Sequence, residues 1–229
     1  MELFKYHDIE YSVSKSNRRT ASLFIERDGS VSLIVPKELT QAKIENIVKS
    51  KRNWIYKSLA EWNDLNSTKV RREFTSGEGI LYLGRNYKLI ASENLNTDIT
   101  VGENYFILNT SQITNCYNIL KSFYKERGSK KIATRVNLYK NKIGVSPRSI
   151  RIQNIGNRWG SCTKDGNLNF HWKIMMAPLS IIDYVVVHEL VHLKYKTHNA
   201  KFWNEIDKVM PDYLKRKNWL RDHGAGLDL

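Results

Sequence analysis

Short runs of alternating apolar and polar residues fill the first half of the chain and predict β-strands. Residues 22–26 and 31–35 flank the turn Arg27-Asp28-Gly29-Ser30, which is the pattern of a β-hairpin. Glycines punctuate a second β segment, whose strands are expected between residues 80 and 107. Apolar residues at helical spacing separate the two segments, over residues 40–62. No internal repeat is visible, and residues 1–110 are predicted to form a β-rich N-terminal region.

Apolar residues recur in steps of three and four from about residue 111, which predicts helices. The pattern is interrupted around Gly128, so it fits either one long helix or two successive ones. Two short strands follow, at residues 149–155 and 167–174, and a further helix is expected to begin near Pro178, with Ser180 and Asp183 as its capping box. Residues 111–229 are therefore predicted to form a second domain.

Positive charge is concentrated in this second domain. The formal net charge is +14; residues 1–110 carry 16 Lys and Arg against 14 Asp and Glu, whereas residues 111–229 carry 21 against 9. This asymmetry indicates a polyanionic partner or substrate, and only weak, sequence-independent binding of nucleic acid is expected because no nucleic-acid motif accompanies the charges. A solvated helix face is the alternative explanation. The charges concerned are Lys121, Lys125, Arg127, Lys130, Lys131 and Arg135.

The composition excludes several classes of protein. Hydrophobic residues make up 41% of the chain and include six Trp, which suffices for a packed core. Two cysteines are too few for a disulfide framework. Neither a stretch long enough to span a membrane nor an N-terminal secretory pattern is visible. The sequence therefore predicts a soluble, cytoplasmic protein without a membrane partner, and it leaves the oligomeric state open.

The segment His188-Glu189-Leu190-Val191-His192 carries the main chemical signal, the pattern HExxH. On a helix, residues four apart lie on one face, so His188 and His192 could hold one metal ion while Glu189 acts as the general base. His198 follows six residues after His192, and three histidines leave the fourth position of a zinc ion open for water, as in catalytic sites. Glu205 is the alternative third ligand. The β-branched run before His188 also fits a strand, but its length and period favour a helix.

Several runs of residues resemble the YgjP-like family of metal-dependent hydrolases, which is related to the SprT-like and WLM-type zincin peptidases. They are residues 11–13, 17–19, 82–85 with 87, 157–162, 167–172, 177–178, 183–190, 198–203, 210–213 and 219–220. The resemblance covers nearly the whole chain. It implies an α+β fold with a zincin-like core of helices and a small sheet, a zinc ion on the three histidines, and Glu189 as the catalytic glutamate. The spacing from His188 to His198 equals that of metzincins, but Lys194-Tyr195 stands where those enzymes have glycine.

Four residues are candidates for binding the substrate. Arg158 could hold a carboxylate or phosphate with both branches of its guanidinium group, and Gly160 would let the backbone approach a ligand closely. Ser161 adjoins them. His171 lies on the predicted strand that precedes the HExxH helix, although the family often has Asn at this position. Arg158, His171, Tyr184 and Tyr195 are also candidates for stabilising charge opposite the metal. The same loop could instead be purely structural, with Trp159 in the core.

The sequence supports three functions. The first is a peptidase that hydrolyses amide bonds, which the predicted helix and a neighbouring sheet edge favour because such edges bind extended peptides. The second is a nucleotide pyrophosphatase that hydrolyses phosphoanhydrides, which the basic second half and Arg158 favour. The third is a nucleic-acid-associated module with a structural zinc ion. Glu189 argues against the third, because a purely structural site does not need a carboxylate there.

Overall fold

The computed structural model describes residues 2–26, 29–67, 72–93, 95, 97–156 and 158–229. Within these residues it contains five α-helices and three small β-sheets, so the predicted α+β class is confirmed. The chain divides into two compact units, residues 1–69 and 70–229. The division predicted after residue 110 stays a prediction. No helix among the described residues is long and apolar enough to cross a membrane.

The first unit combines one sheet with one helix. Its strands are β1 (Glu2–Tyr6), β2 (Ile9–Ser16), β3 (Ser22–Ile25) and β4 (Val31–Pro36), arranged in the order β1-β2-β4-β3. Helix α1 (Gln41–Ser67) follows and runs five residues beyond the predicted end at residue 62. Apolar residues of β2, β4 and α1 form the core of the unit, with Val35, Val48 and Ile55 fully buried. The turn residues Arg27 and Asp28 lie outside the described residues.

The second unit begins with a sheet of the same topology. Its strands are β5 (Gly79–Tyr82), β6 (Arg85–Ser92), β7 (Ile99–Val101) and β8 (Tyr105–Asn109), in the order β5-β6-β8-β7. In both sheets the outer pairs are antiparallel and the central pair is parallel, and a two-residue turn joins the first two strands. The two sheets therefore share one topology although no repeat is visible in the sequence. Strand pairing requires only alternating apolar positions, so similar sheets form from dissimilar residues.

Helix α2 (Cys116–Ile143) is one continuous helix preceded by a 3-10 turn, which is the first of the two alternatives that the sequence left open. Gly128 is buried, and a Cβ atom added there would lie 3.1 Å from Cγ of Met175. Glycine is therefore needed for close packing at this point, not to end the helix. The helix ends at Gly144, which adopts the left-handed conformation (φ 72°) that favours glycine.

The remainder of the second unit surrounds helix α3 (Leu179–Val191) with a small sheet and two further helices. The strands are β9 (Ser149–Gln153), β10 (Gly160–Cys162) and β11 (Asn167–His171), in the order β10-β11-β9, so β10 is an edge strand. A 3-10 turn over residues 172–176 replaces the end of the strand predicted to reach residue 174. Helices α4 (Ala200–Val209) and α5 (Tyr213–His223) follow α3.

A partly buried ion pair connects α3 to α2. The guanidinium group of Arg135 donates to both carboxylate oxygens of Asp183, at 2.5 and 2.7 Å, and the Tyr139 hydroxyl donates to the same carboxylate at 3.1 Å. The predicted capping box of Ser180 and Asp183 is therefore wrong, and α3 begins without a side-chain cap. Arg135 was also assigned to the basic, solvated face of α2, but its guanidinium group binds Asp183 instead. The ion pair holds α3 in a defined position against α2.

Candidate metal centre

Helix α3 presents the HExxH segment from the middle of the second unit. All of its residues from Ile181 to Val191 are buried except His188, which is partly buried. Its β-branched run forms a helix, as predicted, because α2, α4, α5 and β10 surround it and burial of apolar side chains outweighs a local preference for strand. His192 caps the C-terminus of the helix. The helix thus carries His188, Glu189 and His192 at its last turn.

Three histidine side chains converge at the end of α3. One nitrogen from each of His188, His192 and His198 lies within 4.8 Å of the other two. The Nε2 atoms of His188 and His198 are 3.0 Å apart. Ligands of a tetrahedral zinc ion with Zn–N bonds of about 2.05 Å would lie about 3.3 Å apart, and the distance between these two Nε2 atoms is close to that value.

The environment of the histidines keeps them neutral, which is the form that binds a metal. Burial, with the neighbouring His192, His198 and Lys217 as smaller causes, lowers the pKa of His188 to about 3. Burial also lowers the pKa of His192 and of His198. Within the described residues, Nδ1 of His188 is buried and has no hydrogen-bond partner. These imidazoles therefore offer unprotonated nitrogens at neutral pH.

Two of the histidines are held in place by contacts outside the cluster. Nδ1 of His192 lies 3.0 Å from the carbonyl oxygen of Tyr195, which fixes the orientation of the ring and leaves Nε2 for a metal. The indole N–H of Trp203 donates to the carbonyl oxygen of His198 at 3.2 Å, and the two rings stack with centroids 5.6 Å apart. Trp203 thus fixes the loop that carries the third histidine, which lies outside α3.

Glu189 lies beside the histidines in a closely packed environment. Its side chain is buried against Gly160 of β10, where an added Cβ atom would lie 2.6 Å from both Cγ and Oε1 of Glu189. Burial raises the pKa of Glu189 to about 8, and the charge of Arg158 acts in the opposite direction. Within the described residues, Oε2 of Glu189 has no hydrogen-bond partner. A carboxyl group of this kind can both accept and release a proton near neutral pH.

A cleft of about 520 Å³ opens over these residues. One wall is strand β10 with the residues before it, and another is α3 with the loop that follows. The cleft is lined by Arg158, Trp159, Gly160, Ser161, Cys162, Tyr184, Val185, His188, Glu189, His192, Lys196, His198 and Leu220. It therefore brings Arg158, Gly160 and Ser161 together with the histidine cluster and Glu189.

Two sequence candidates lie elsewhere. His171 is buried at the end of β11, where its Nδ1 atom accepts a hydrogen bond from the Lys173 amide and Nε2 lies 3.1 Å from Asn154, and it is not among the described residues that line the cleft. Glu205 binds Lys194 at 2.7 Å, and this ion pair lowers the pKa of its carboxyl group. Glu205 is also not part of the histidine cluster within the described residues.

The start of α3 is fixed by the turn between β5 and β6. The amides of Leu83 and Gly84 donate to the carbonyl oxygens of Met175 and Met176, at 2.8 and 3.1 Å, just before the helix. Gly84 has a φ of 78°, and a Cβ atom there would lie 2.8 Å from Cα of Pro178. Glycine is therefore required for both its conformation and its close contact with Pro178. Sequence reasoning noted the glycine but could not foresee that the turn contacts the helix.

A protein-family model described as "YgjP-like, metallopeptidase domain" matches residues 19–223. The chain belongs to the YgjP-like metallopeptidase family. This membership makes the protein a metal-dependent hydrolase. The crystal structure of the metallopeptidase zymogen abylysin from Pyrococcus abyssi is similar at 22% sequence identity and a TM-score of 0.36, over 38% of this chain and 89% of that one. No curated protein matches the sequence.

Sequence reasoning missed two residues near the centre. Lys196 lines the cleft, but the sequence gives no signal for it because an isolated lysine in a loop has many uses. Trp203 donates a hydrogen bond to the backbone of His198. It lies in the run His198–Trp203 that resembles the family, and this was the signal that could have identified it. Tyr184 was already a candidate, and it lines the cleft with its ring centroid 5.9 Å from that of His188.

Proposed function

We propose that this member of the family is a zinc-dependent peptidase in which His188, His192 and His198 hold the metal and Glu189 is the general base. The observation that carries the proposal is the convergence of three neutral imidazoles beside a buried glutamate in an open cleft. Imidazole nitrogens are ligands that suit zinc, and three of them are the set found in catalytic sites. When bound, zinc would polarise the scissile carbonyl group and lower the pKa of water.

Glu189 would move the proton that the reaction requires. Its carboxylate would accept the proton of the attacking water and then deliver it to the departing amine. A pKa of about 8 in the metal-free protein suits both steps, because the group gains and loses a proton at little cost near neutral pH. The contact with Gly160 limits the carboxyl group to a narrow range of positions next to the histidines.

Tyr184 is the best candidate for stabilising negative charge on the substrate. Burial raises the pKa of its hydroxyl group to about 12, so the hydroxyl keeps its proton and can donate a hydrogen bond. It lines the cleft next to His188, whereas Tyr195 contributes its backbone oxygen to His192. A preorganised donor of this kind typically contributes about a hundredfold or more to the rate.

A nucleotide phosphoanhydride hydrolase is the second candidate. Arg158 and Lys196 both line the cleft, and guanidinium and ammonium groups bind phosphates well. A nucleic-acid-associated module with a structural zinc ion has less support, because the histidines form an open site with a glutamate beside it.

Glu189→Gln tests the proposed role of the base. The variant should bind about one zinc ion per chain, as the wild type does, while its peptidase activity falls by about a hundred- to ten-thousandfold. Zinc would be measured by mass spectrometry after dialysis, and hydrolysis would be measured on casein, on peptides and on nucleoside triphosphates. Normal turnover in Glu189→Gln would refute the mechanism, and hydrolysis of nucleotides alone would favour the second candidate.

A further inference from the structure

Strand β10 offers an unpaired edge to the cleft. It pairs only with β11 within the described residues, in the antiparallel register Ser161↔Asn169. The amide of His171 donates to the carbonyl of Trp159, and the amide of Thr163 donates to that of Asn167, so every second residue of the strand bonds to β11. By this alternation the peptide groups of Gly160 and Cys162 point away from β11. An extended peptide can add to such an edge as a further strand.

Glu189, the proposed general base, faces this edge at its beginning. Glu189 packs directly on Gly160, the first residue of β10. A peptide bound along β10 would therefore present the bond opposite Gly160 to Glu189 and to the histidines. Residues of that peptide on the two sides of the bond would extend toward Arg158 in one direction and toward Cys162 in the other.

A positively charged side chain lies at each end of this path. Arg158 precedes β10 by two residues and lines the cleft close enough for its charge to act on Glu189. Lys196 lines the opposite end, where its charge acts on Cys162 and His192. Cys162 is four positions after Arg158, which is a distance of roughly 13 Å along an extended chain.

The residues of the cleft offer these two cations little opposing charge. Among the described residues that line it, Glu189 is the only carboxylate. Neither Arg158 nor Lys196 forms an ion pair within the described part of the chain, whereas Lys194 in the same loop is paired with Glu205. The walls of the cleft therefore carry positive charge at two separate points, and a substrate would need to supply the matching charges.

We propose that the preferred substrate is an acidic peptide segment with one carboxylate side chain on each side of the scissile bond, about four residues apart, bound by Arg158 and Lys196. Side chains four residues apart lie on the same face of an extended strand, so both can reach the cleft together. The inference rests on the proposed peptidase function and specifies its substrate. An extended peptide fits the strand edge better than a compact nucleotide does, because it also satisfies the peptide groups of Gly160 and Cys162.

Peptide binding to the zinc-loaded Glu189→Gln variant separates recognition from catalysis. Fluorescent decapeptides would carry glutamate, glutamine or lysine at the two positions, or glutamate at only one of them. The doubly acidic peptide should bind best, and each glutamate replaced by glutamine should weaken binding about fivefold, as expected for a solvent-accessible ion pair. On this background, Arg158→Gln should remove the preference for one of the two glutamates, and Lys196→Gln should remove the preference for the other.

Matched variants identify a true charge effect. Arg158→Lys and Lys196→Arg should retain most of the preference, and Lys196→Glu should favour lysine at its position. Lys88→Gln removes an exposed charge from β6, which does not line the cleft, and should change nothing. Equal binding of acidic and neutral peptides would overturn the inference, and so would tight binding of nucleoside triphosphates without binding of any peptide. Selective binding of the acidic peptide without its hydrolysis by the wild type would refute the peptidase function and leave the recognition intact.

Discussion

Gly160→Ala introduces one methyl group at the point where β10 contacts Glu189, the proposed general base. The new Cβ atom would lie 2.6 Å from Cγ and Oε1 of Glu189 and 2.8 Å from Cδ, whereas ordinary van der Waals contacts begin at about 3.4 Å. Gly160 does not adopt a positive φ, so the backbone itself accommodates alanine without strain. The effect of the substitution should therefore come from the displacement of Glu189.

The size of that displacement sets the expected effect. To restore an ordinary contact, the carboxyl group must move by roughly 0.8 Å, the difference between 3.4 and 2.6 Å, or β10 must move away by the same amount. A misplacement of about 1 Å in a catalytic group can reduce the rate about a hundredfold. Overpacking of this kind also destabilises a fold by about 1–3 kcal/mol, which would lower the melting temperature by roughly 2–12 °C in a unit of this size.

Three measurements on the same variant separate these effects. Turnover of a peptide substrate should fall about a hundredfold, the zinc content should stay near that of the wild type, and the protein should remain folded by circular dichroism. Gly226→Ala is the matched control, because no atom lies within 4 Å of the position of its Cβ and its φ is not positive. Turnover of Gly160→Ala within twofold of the wild type would refute the close contact, and loss of zinc would show that the strand supports the ligands instead.

Four further results are expected. His198→Ala should lose most of the bound zinc while Glu205→Ala keeps it, and the reverse result would make Glu205 the third ligand. Trp203→Phe removes the hydrogen bond to His198 and should weaken zinc binding about tenfold in a chelator competition, whereas Trp54→Phe, an exposed tryptophan of α1, should not affect it. Asp183→Asn should lower the free energy of unfolding in urea by about 3 kcal/mol, because it leaves the Arg135 charge without its partner. Glu126→Gln breaks the exposed ion pair with Lys130 and should lower the same free energy by less than about 1 kcal/mol. Replacing Lys121, Lys125 and Lys131 by Gln should abolish a weak, salt-sensitive binding of DNA with a dissociation constant of about micromolar or poorer, and unchanged behaviour would leave a solvated helix face.

The HExxH helix was predictable because its chemistry is local. His188 and His192 are four residues apart, so helical geometry alone places them on one side, and the length and period of the segment indicated the helix despite its β-branched residues. The same reasoning predicted α1 and the beginning of α3 near Pro178. It left open whether the helix continues through Gly128, and it was wrong for Asp183 as a helix cap. Each is determined by a residue distant in sequence, because Met175 packs on the glycine and Arg135 binds the aspartate.

The sequence by itself determined the local pattern of the candidate site: two histidines and a glutamate on one helix, with a third histidine six residues further on. Only the tertiary structure decided which groups share the cleft. Gly160 contacts Glu189, Lys196 lines the same cleft as Arg158, and Trp203 donates a hydrogen bond to the backbone of His198, although nothing in their spacing along the sequence connects them. The physical reason is that helical periodicity is encoded in neighbouring residues, whereas a cleft forms where segments far apart in sequence pack together to bury a common core.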